Sequence, residues 1–239
     1  MKKLKIIACK VMMRELYYLA YKCENIVDIL FLRQGLHDEP KKLTESLQRA
    51  IDQIESEPEP YDAICLGYGL CSNGIVGITS QRTPIIVPRA HDCISLLLGS
   101  RQKYDELFKK YNGIYWYSPG WLEHNRKGMP GPDRLDILRR KYTEQYDDYT
   151  AEALLETELE WMRRYGYAIF VDWEYLDNEE YREYTKKCAQ FLDWKYICQP
   201  GSPALLERMI CGEWDDKDFL IVPPGKQLRP SFDDLIIKL

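Results

Sequence analysis

Four side chains that can bind a soft metal ion follow three short apolar runs of this sequence. They are Cys9, Cys71, His91 and Cys93. Each run is rich in Ile, Leu or Val and is typical of a buried strand. In open α/β sheets, ligands bind outside the carboxyl ends of the strands. Because zinc and iron accept thiolate and imidazole ligands, the sequence predicts that these four side chains surround one zinc or iron ion.

The sharpest local signal is the tripeptide His91-Asp92-Cys93. In an extended loop, residues i and i+2 point the same way, so the imidazole and the thiolate can meet one ion. Asp92 either orients a ligand or caps the helix that follows. A His-x-Cys pair also occurs by chance, and the alternative is a plain loop histidine followed by a packing cysteine.

The other cysteines have simpler interpretations. Cys65 lies inside its predicted strand and is expected to be a core residue. Core positions in predicted helices are expected for three more, Cys23, Cys188 and Cys211. Cys198 follows a strand of the second half of the chain and is a reserve candidate for the site.

A glycine-rich loop and an arginine flank the predicted metal ligands. Gly67 and Gly69 can bring the backbone close to a bound anion or cofactor, or they can form a tight strand-to-helix turn. The loop lacks the lysine of a phosphate-binding P-loop. Arg89 is predicted to neutralise a substrate carboxylate or phosphate, with a surface or ion-paired arginine as the alternative.

Three candidates come from later segments. Trp121 and His124 are predicted to form a flap over the site, as an apolar lid and a proton carrier. Asp172 ends an apolar strand and is predicted to face a cleft. The alternatives are an exposed loop histidine and an aspartate that caps the next helix.

Strands that alternate with helices predict an α/β fold with a mainly parallel, doubly wound sheet and a helical insertion. Two α/β lobes that face a cleft are the alternative. Residues 1–121 are predicted to carry the site, 122–166 to form a linker or lid and a long helical segment, and 167–239 to complete the sheet or form a second lobe. One helix is expected over 94–108 and one helical region over 134–165.

Composition narrows the class of protein. The 239 residues carry a net charge of −5, which argues against nucleic-acid binding. No apolar run has the ~18 residues that a membrane span needs, and the first apolar run is too short for a signal peptide. We therefore expect a cytoplasmic protein, in which the 8 cysteines are not structural disulfides.

The sequence also resembles an uncharacterised family, domain of unknown function 1638. The resemblance rests on Ala8-Cys9, on Gly67-Tyr68-Gly69-Leu70-Cys71, on Pro88-Arg89-Ala90-His91-Asp92-Cys93 and on Pro119-Gly120-Trp121. Members occur mainly in anaerobic bacteria and archaea, often beside corrinoid-dependent methyltransferases. The resemblance implies a role in one-carbon metabolism and carries no established reaction.

Three functions follow as hypotheses. The first is a metal-dependent protein that activates a thiol or handles a methyl group of a small-molecule substrate, because zinc-dependent methyltransferases also use a His-x-Cys pair. Whether it is such an enzyme stays open. The second is an accessory or cofactor-binding protein, with a corrinoid protein or methyltransferase as partner. The third is a metal-free redox protein that uses Cys71 or Cys93. The cysteine spacing disfavours an iron–sulfur cluster, and the corrinoid-binding signature Asp-x-His-x-x-Gly is absent.

Overall fold

Strands and helices alternate along the chain, as the apolar runs predict. The computed structural model describes all residues from Met1 to Leu239. The strands are β1 (Lys3–Cys9), β2 (Ile26–Leu32), β3 (Ala63–Gly67), β4 (Ile85–Pro88), β5 (Ile114–Tyr117), β6 (Tyr167–Asp172), β7 (Lys195–Pro200), β8 (Phe219–Val222), β9 (Arg229–Pro230) and β10 (Ile237–Lys238). The α-helices are α1 (Met13–Lys22), α2 (Pro40–Glu55), α3 (Cys93–Leu98), α4 (Arg101–Lys110), α5 (Pro119–Asn125), α6 (Pro132–Gln145), α7 (Asp148–Met162), α8 (Glu179–Phe191) and α9 (Ala204–Cys211).

The chain forms two compact units. The first unit consists of Met1–Tyr104 and Ser202–Leu239, and the second consists of Asp105–Gly201. The boundary between them therefore falls within α4. Each unit has its own sheet, and the fold is α/β with mostly parallel strands, which confirms the predicted class.

The sheet of the first unit has the strand order β2-β1-β3-β4-β8. Strands β1 to β4 are parallel, and β8 is antiparallel to β4. The chain leaves β1 for β2 on one side and returns to β3 on the other. The strand order therefore reverses between β1 and β3, and such a switch point leaves a crevice at the carboxyl ends of the two strands.

The central strands of this sheet are buried on both faces. Every residue of β3 and of β4 is buried, as expected for a parallel sheet that helices cover on both sides. The helix α2 buries its apolar stripe, as the spacing of the stripe predicts. The buried residues are Leu43, Leu47, Ala50, Ile51 and Ile54.

Two predicted helical regions are interrupted. The region 94–108 divides at Gly99, which has a φ of 69° and ends α3. A Cβ on Gly99 would lie 2.7 Å from the Ser202 Cβ, so only glycine fits there. The region 134–165 divides into α6 and α7 where the Asp147 side chain accepts a hydrogen bond from the Thr150 N–H and caps α7.

The second unit packs its helices on the parallel sheet β5-β6-β7. Its core includes large buried side chains from strands, helices and the segments between them. They include Tyr117, Leu122, Met129, Leu155, Met162, Phe170, Tyr184 and Trp194. Residues 122–133, the first part of the segment predicted as a linker or lid and a long helical segment, contain the end of α5, a 3₁₀ turn and the start of α6. No helix in either unit combines the length and the apolar character needed to cross a membrane.

Candidate functional site

Three of the predicted ligands converge beside the switch point of the first sheet. Cys9 is the last residue of β1, Cys71 lies in the loop after β3, and Cys93 is the first residue of α3. The thiols are close enough that Cys9 and Cys71 both raise the pKa of Cys93. The structure therefore places thiols from three separate chain segments in one cluster, which we call the thiol cluster.

Two glycines allow these segments to approach one another. A Cβ on Gly67 would lie 2.6 Å from the Ala8 Cβ, across the β1–β3 pair. A Cβ on Gly69 would lie 2.6 Å from the Asp92 nitrogen and 2.8 Å from the Ala90 oxygen. Real Cβ atoms do not approach other heavy atoms so closely, and neither the Ala8 Cβ nor a backbone atom can rotate away, so the two positions accept only glycine without movement of the neighbouring backbone. Gly67 and Gly69 thus have a structural role in bringing the three thiol-bearing segments together.

The loop that carries Cys71 has an unusual backbone. Cys71, Ser72 and Asn73 have φ values of 46°, 57° and 67°, all in the left-handed region. This region costs a non-glycine residue about 1–2 kcal/mol. The backbone N–H of Leu70 donates to the Ala90 oxygen at 2.7 Å, and that of Cys71 donates to the His91 oxygen at 2.9 Å. These bonds hold the loop in its strained form, and such strain clusters at functional sites.

Burial keeps the three thiols protonated at neutral pH. Burial raises the pKa of Cys9. The pKa of Cys71 rises to about 12, first through burial and then through the nearby Asp92 and Cys9. Burial and Asp92 also raise the pKa of Cys93 well above its usual value. A thiolate in this cluster therefore needs a cation to compensate its charge.

The Tyr68 side chain lies against the same cluster. It is 3% exposed, and its hydroxyl has no hydrogen-bond partner. Burial raises the pKa of Tyr68, and the neighbouring Cys9, Cys71 and Cys93 raise it further. A buried hydroxyl without a partner is rare and calls for an explanation such as a missing ligand. The sequence shows Tyr68 within the loop motif but carries no signal that predicts a role for it.

The His91 side chain points to solvent, whereas Asp92 lies near the thiols. The His91 side chain is exposed, and its ring stacks near Tyr104 with a centroid distance of 6.4 Å. Asp92 caps α3, because its carboxylate accepts hydrogen bonds from the Ile94 and Ser95 N–H groups. The Tyr104 hydroxyl also donates to Asp92 at 2.6 Å. Of the two roles considered for Asp92, the structure shows the helix cap. Neither the three thiols nor any other group of three or more His, Cys, Asp or Glu side chains is arranged as a metal site in this structure.

Arg89 is buried and bound to backbone. Its guanidinium donates to the carbonyl oxygens of Asp216, Leu235 and Ile237, with the first at 2.9 Å and the second at 3.0 Å. These contacts tie the end of β4 to the C-terminal segment. They give Arg89 a structural role, while its predicted role toward a substrate anion stays a prediction.

The later candidates all lie in the second unit. Trp121 and His124 are half-buried residues of α5, and Trp121 packs against the core of that unit. Asp172 ends β6 and accepts hydrogen bonds from the Arg182 guanidinium at 2.8 Å and the Asn178 amide at 2.9 Å. Cys198 in β7 is exposed, with its sulfur 3.5 Å from the Asp172 carboxylate. The predicted roles of Trp121, His124 and Asp172 in a reaction stay predictions.

The remaining cysteines differ in burial. Cys65 and Cys188 are buried, as predicted for core thiols. Cys211 is exposed and Cys23 is half-buried, so the prediction that these two belong to the core was wrong. Both lie at helix ends, where a helical pattern alone does not reveal which side chains reach solvent.

The fold and the site together define an α/β protein with a three-thiol cluster at the switch point of a parallel sheet. The family described as protein of unknown function (DUF1638) matches residues 31–210, which is most of the chain. The chain belongs to this family. Cys71, His91 and Cys93 lie within the matched range, and Cys9 precedes it. Searches of the curated proteins and of the solved structures gave no match.

Proposed function

We propose that Cys9, Cys71 and Cys93 hold a zinc or iron ion, and that the protein uses it to handle a thiol or a methyl group in one-carbon metabolism. The observation that carries the proposal is the convergence of the three thiols around the unpartnered hydroxyl of Tyr68. The association with one-carbon chemistry comes from the resemblance to the family described above.

The donor types suit such an ion, and the three thiols would have to draw together to bind it. Thiolate is the ligand type that zinc and iron favour over magnesium or calcium. Three protein ligands leave a tetrahedral ion with one open position, which is the arrangement of catalytic zinc sites. His91 is one source of a fourth ligand, because its backbone directly precedes the helix cap that positions Cys93. Its exposed ring would have to turn inward.

The raised thiol pKa values give metal binding a chemical signature. The thiols must lose their protons when they bind the ion, so the binding of metal should release protons and strengthen as the pH rises. A bound ion would hold a substrate thiol as thiolate at neutral pH. Burial of the cluster would limit the access of water, and the Tyr68 hydroxyl would donate to a ligand at the open position.

The same pKa values disfavour the metal-free redox hypothesis at this cluster. A reactive thiol needs a lowered pKa. Cys93 does begin a helix, but burial and the Asp92 carboxylate outweigh any effect of the helix N-terminus on its pKa. Without a cation, the three thiols should react slowly near neutral pH.

The test is metal loading of protein purified without oxygen. The reduced protein is reconstituted with Zn²⁺, Fe²⁺ or Co²⁺, desalted and assayed by elemental analysis. We expect about one equivalent of metal. The Co²⁺ form should show thiolate-to-metal charge-transfer absorption, which weakens in each of the variants Cys9→Ser, Cys71→Ser and Cys93→Ser.

The matched control is Cys198→Ser, which changes an exposed cysteine of the second unit. It should bind as much metal as the unmodified protein. His91→Ala decides whether the histidine is a ligand, since loss of the ligand changes the Co²⁺ spectrum. Less than about a tenth of an equivalent of each metal in the unmodified protein would rule out the metal centre.

A further inference from the structure

We propose that Cys23 and Cys211 form a second thiol site, which exchanges with low-molecular-weight disulfides and closes into an intramolecular disulfide. Cys23 follows the last residue of α1, and Cys211 is the last residue of α9. The proposal concerns only the first unit and does not depend on the metal centre.

The two thiols are neighbours because α1 packs against α9. The Cys23 sulfur donates to the Ile210 oxygen at 3.3 Å, which places it beside the residue that precedes Cys211. The Asn25 amide donates to the same oxygen at 2.9 Å and holds the end of α1 in place. Burial raises the pKa of Cys211, and the neighbouring Cys23 side chain raises it further, which shows that the two thiols are close. The thiols therefore face each other although 187 residues lie between them in sequence.

The pair is accessible on one side. Cys211 is exposed and Cys23 is half-buried. A small disulfide RS–SR can therefore react with Cys211 first. Cys23 lies next to Cys211 and can then act as the resolving thiol, which attacks the mixed disulfide. An accessible thiol beside a resolving thiol is the arrangement of dithiol sites that react by exchange. Because the pKa of Cys211 is raised to about 11, the exchange should become faster as the pH rises toward that value.

The chemistry balances with an external disulfide as oxidant. The Cys211 thiolate attacks one sulfur of RS–SR, which forms a mixed disulfide and releases the first RS⁻. The Cys23 thiolate then attacks the Cys211 sulfur and releases the second RS⁻. The two protons of the protein thiols end on the released thiols. The protein pair loses two electrons, and RS–SR gains them. Disulfides in cytosolic proteins are usually of this transient kind.

The experiment uses the reduced full-length protein and oxidised glutathione as the probe. After exchange, free thiols are blocked with N-ethylmaleimide, and the protein is digested with trypsin without reduction. Cleavage after Lys22, Arg33, Arg208 and Lys217 gives the peptides 23–33 and 209–217. We expect these two peptides joined by a disulfide, with two of the 8 thiols lost from the blocked fraction.

Two variants assign the roles. Cys23→Ser should stop at the mixed disulfide between glutathione and Cys211. Cys198→Ser, which lacks the other exposed cysteine, should still form the joined peptides. The proposal is overturned if the unmodified protein keeps peptide 23–33 fully blocked while Cys211 carries glutathione, or if the link forms only between two molecules. Because the unmodified protein gives the decisive result, a variant that folds poorly does not obscure it.

Discussion

The substitution Gly69→Ala tests whether close backbone contact assembles the thiol cluster. The added Cβ would lie 2.6 Å from the Asp92 nitrogen, 2.7 Å from the Asp92 Cα and 2.8 Å from the Ala90 oxygen. All three are backbone atoms, so no side-chain rotation relieves the overlap. The loop that carries Cys71 must therefore move away from the segment that leads to Cys93.

The cost follows from what this movement breaks. Overpacking costs about 2 kcal/mol. The hydrogen bonds from Leu70 to Ala90 and from Cys71 to His91 lie on the same interface, and the loss of each costs about 1 kcal/mol. Alanine returns about 1 kcal/mol, because it reduces the entropy of the unfolded chain. We expect a net loss of about 3 kcal/mol of unfolding free energy.

The assay is urea unfolding followed by far-ultraviolet circular dichroism, together with the alkylation rates of Cys71 and Cys93 in the folded protein. Both rates should rise as the thiols separate. The matched control is Gly166→Ala, whose Cβ would meet only the Asn112 oxygen at 3.7 Å. It should change the stability by less than about 1 kcal/mol. Equal stability and equal thiol reactivity in the two variants would refute the reasoning.

Three further substitutions test single contacts by urea unfolding. Tyr68→Phe removes a hydroxyl that has no hydrogen-bond partner, so the unfolding free energy of the metal-free protein should change by less than about 1 kcal/mol. A larger loss would show that the hydroxyl forms a hydrogen bond. Glu55 accepts three backbone N–H groups between 2.7 and 2.8 Å. Burial alone would raise the pKa of Glu55, but these bonds lower it overall. The Glu55 carboxylate therefore stabilises the fold fully at pH values above the pKa of glutamate in the unfolded chain, ~4.3. This stabilisation is lost as the pH falls through the lower pKa of Glu55 in the folded protein. Glu55→Gln should lower the unfolding free energy by about 2 kcal/mol at pH 7. The difference in unfolding free energy between the variant and the unmodified protein should shrink as the pH falls, and a difference that does not depend on pH would contradict this. Arg89→Lys removes the planar guanidinium that donates to three carbonyl oxygens. It should lower the unfolding free energy by about 2 kcal/mol, and an unchanged unfolding free energy would argue against a structural role of Arg89.

Local patterns predicted the parts of the site that depend on neighbours in sequence. Cys9 ends β1 and Cys65 lies within β3, because short apolar runs define buried strands whatever their partners are. Asp92 before an apolar helical run was recognisable as a helix cap for the same reason. The glycines of the loop were visible, but whether they bring the backbone close to a bound group or form a tight strand-to-helix turn was open.

The packing of Gly69 against Asp92 gives that glycine a structural role, while the approach of the loop to a bound group stays a prediction. It fixes the direction of the segment 90–93, so that Cys93 faces Cys71 while His91 is exposed. The rule that residues i and i+2 of an extended chain point the same way predicted that the His91 and Cys93 side chains lie on one side of the segment. Asp92 between them is extended, with a φ of −154° and a ψ of −179°. The His91 ring is nevertheless exposed while Cys93 lies in the thiol cluster, so His91 as a ligand stays a prediction.

The sequence alone determined the alternation of strands and helices, the parallel character of the sheets and the positions of the thiols along the strands. These features follow from hydrophobic periodicity and turn chemistry, which act over a few residues. Only the tertiary structure decided that the strands form two sheets, that Tyr68 lies unpartnered among three thiols, and that Cys23 faces Cys211. Such contacts join residues distant in sequence, and they depend on which surfaces pack together.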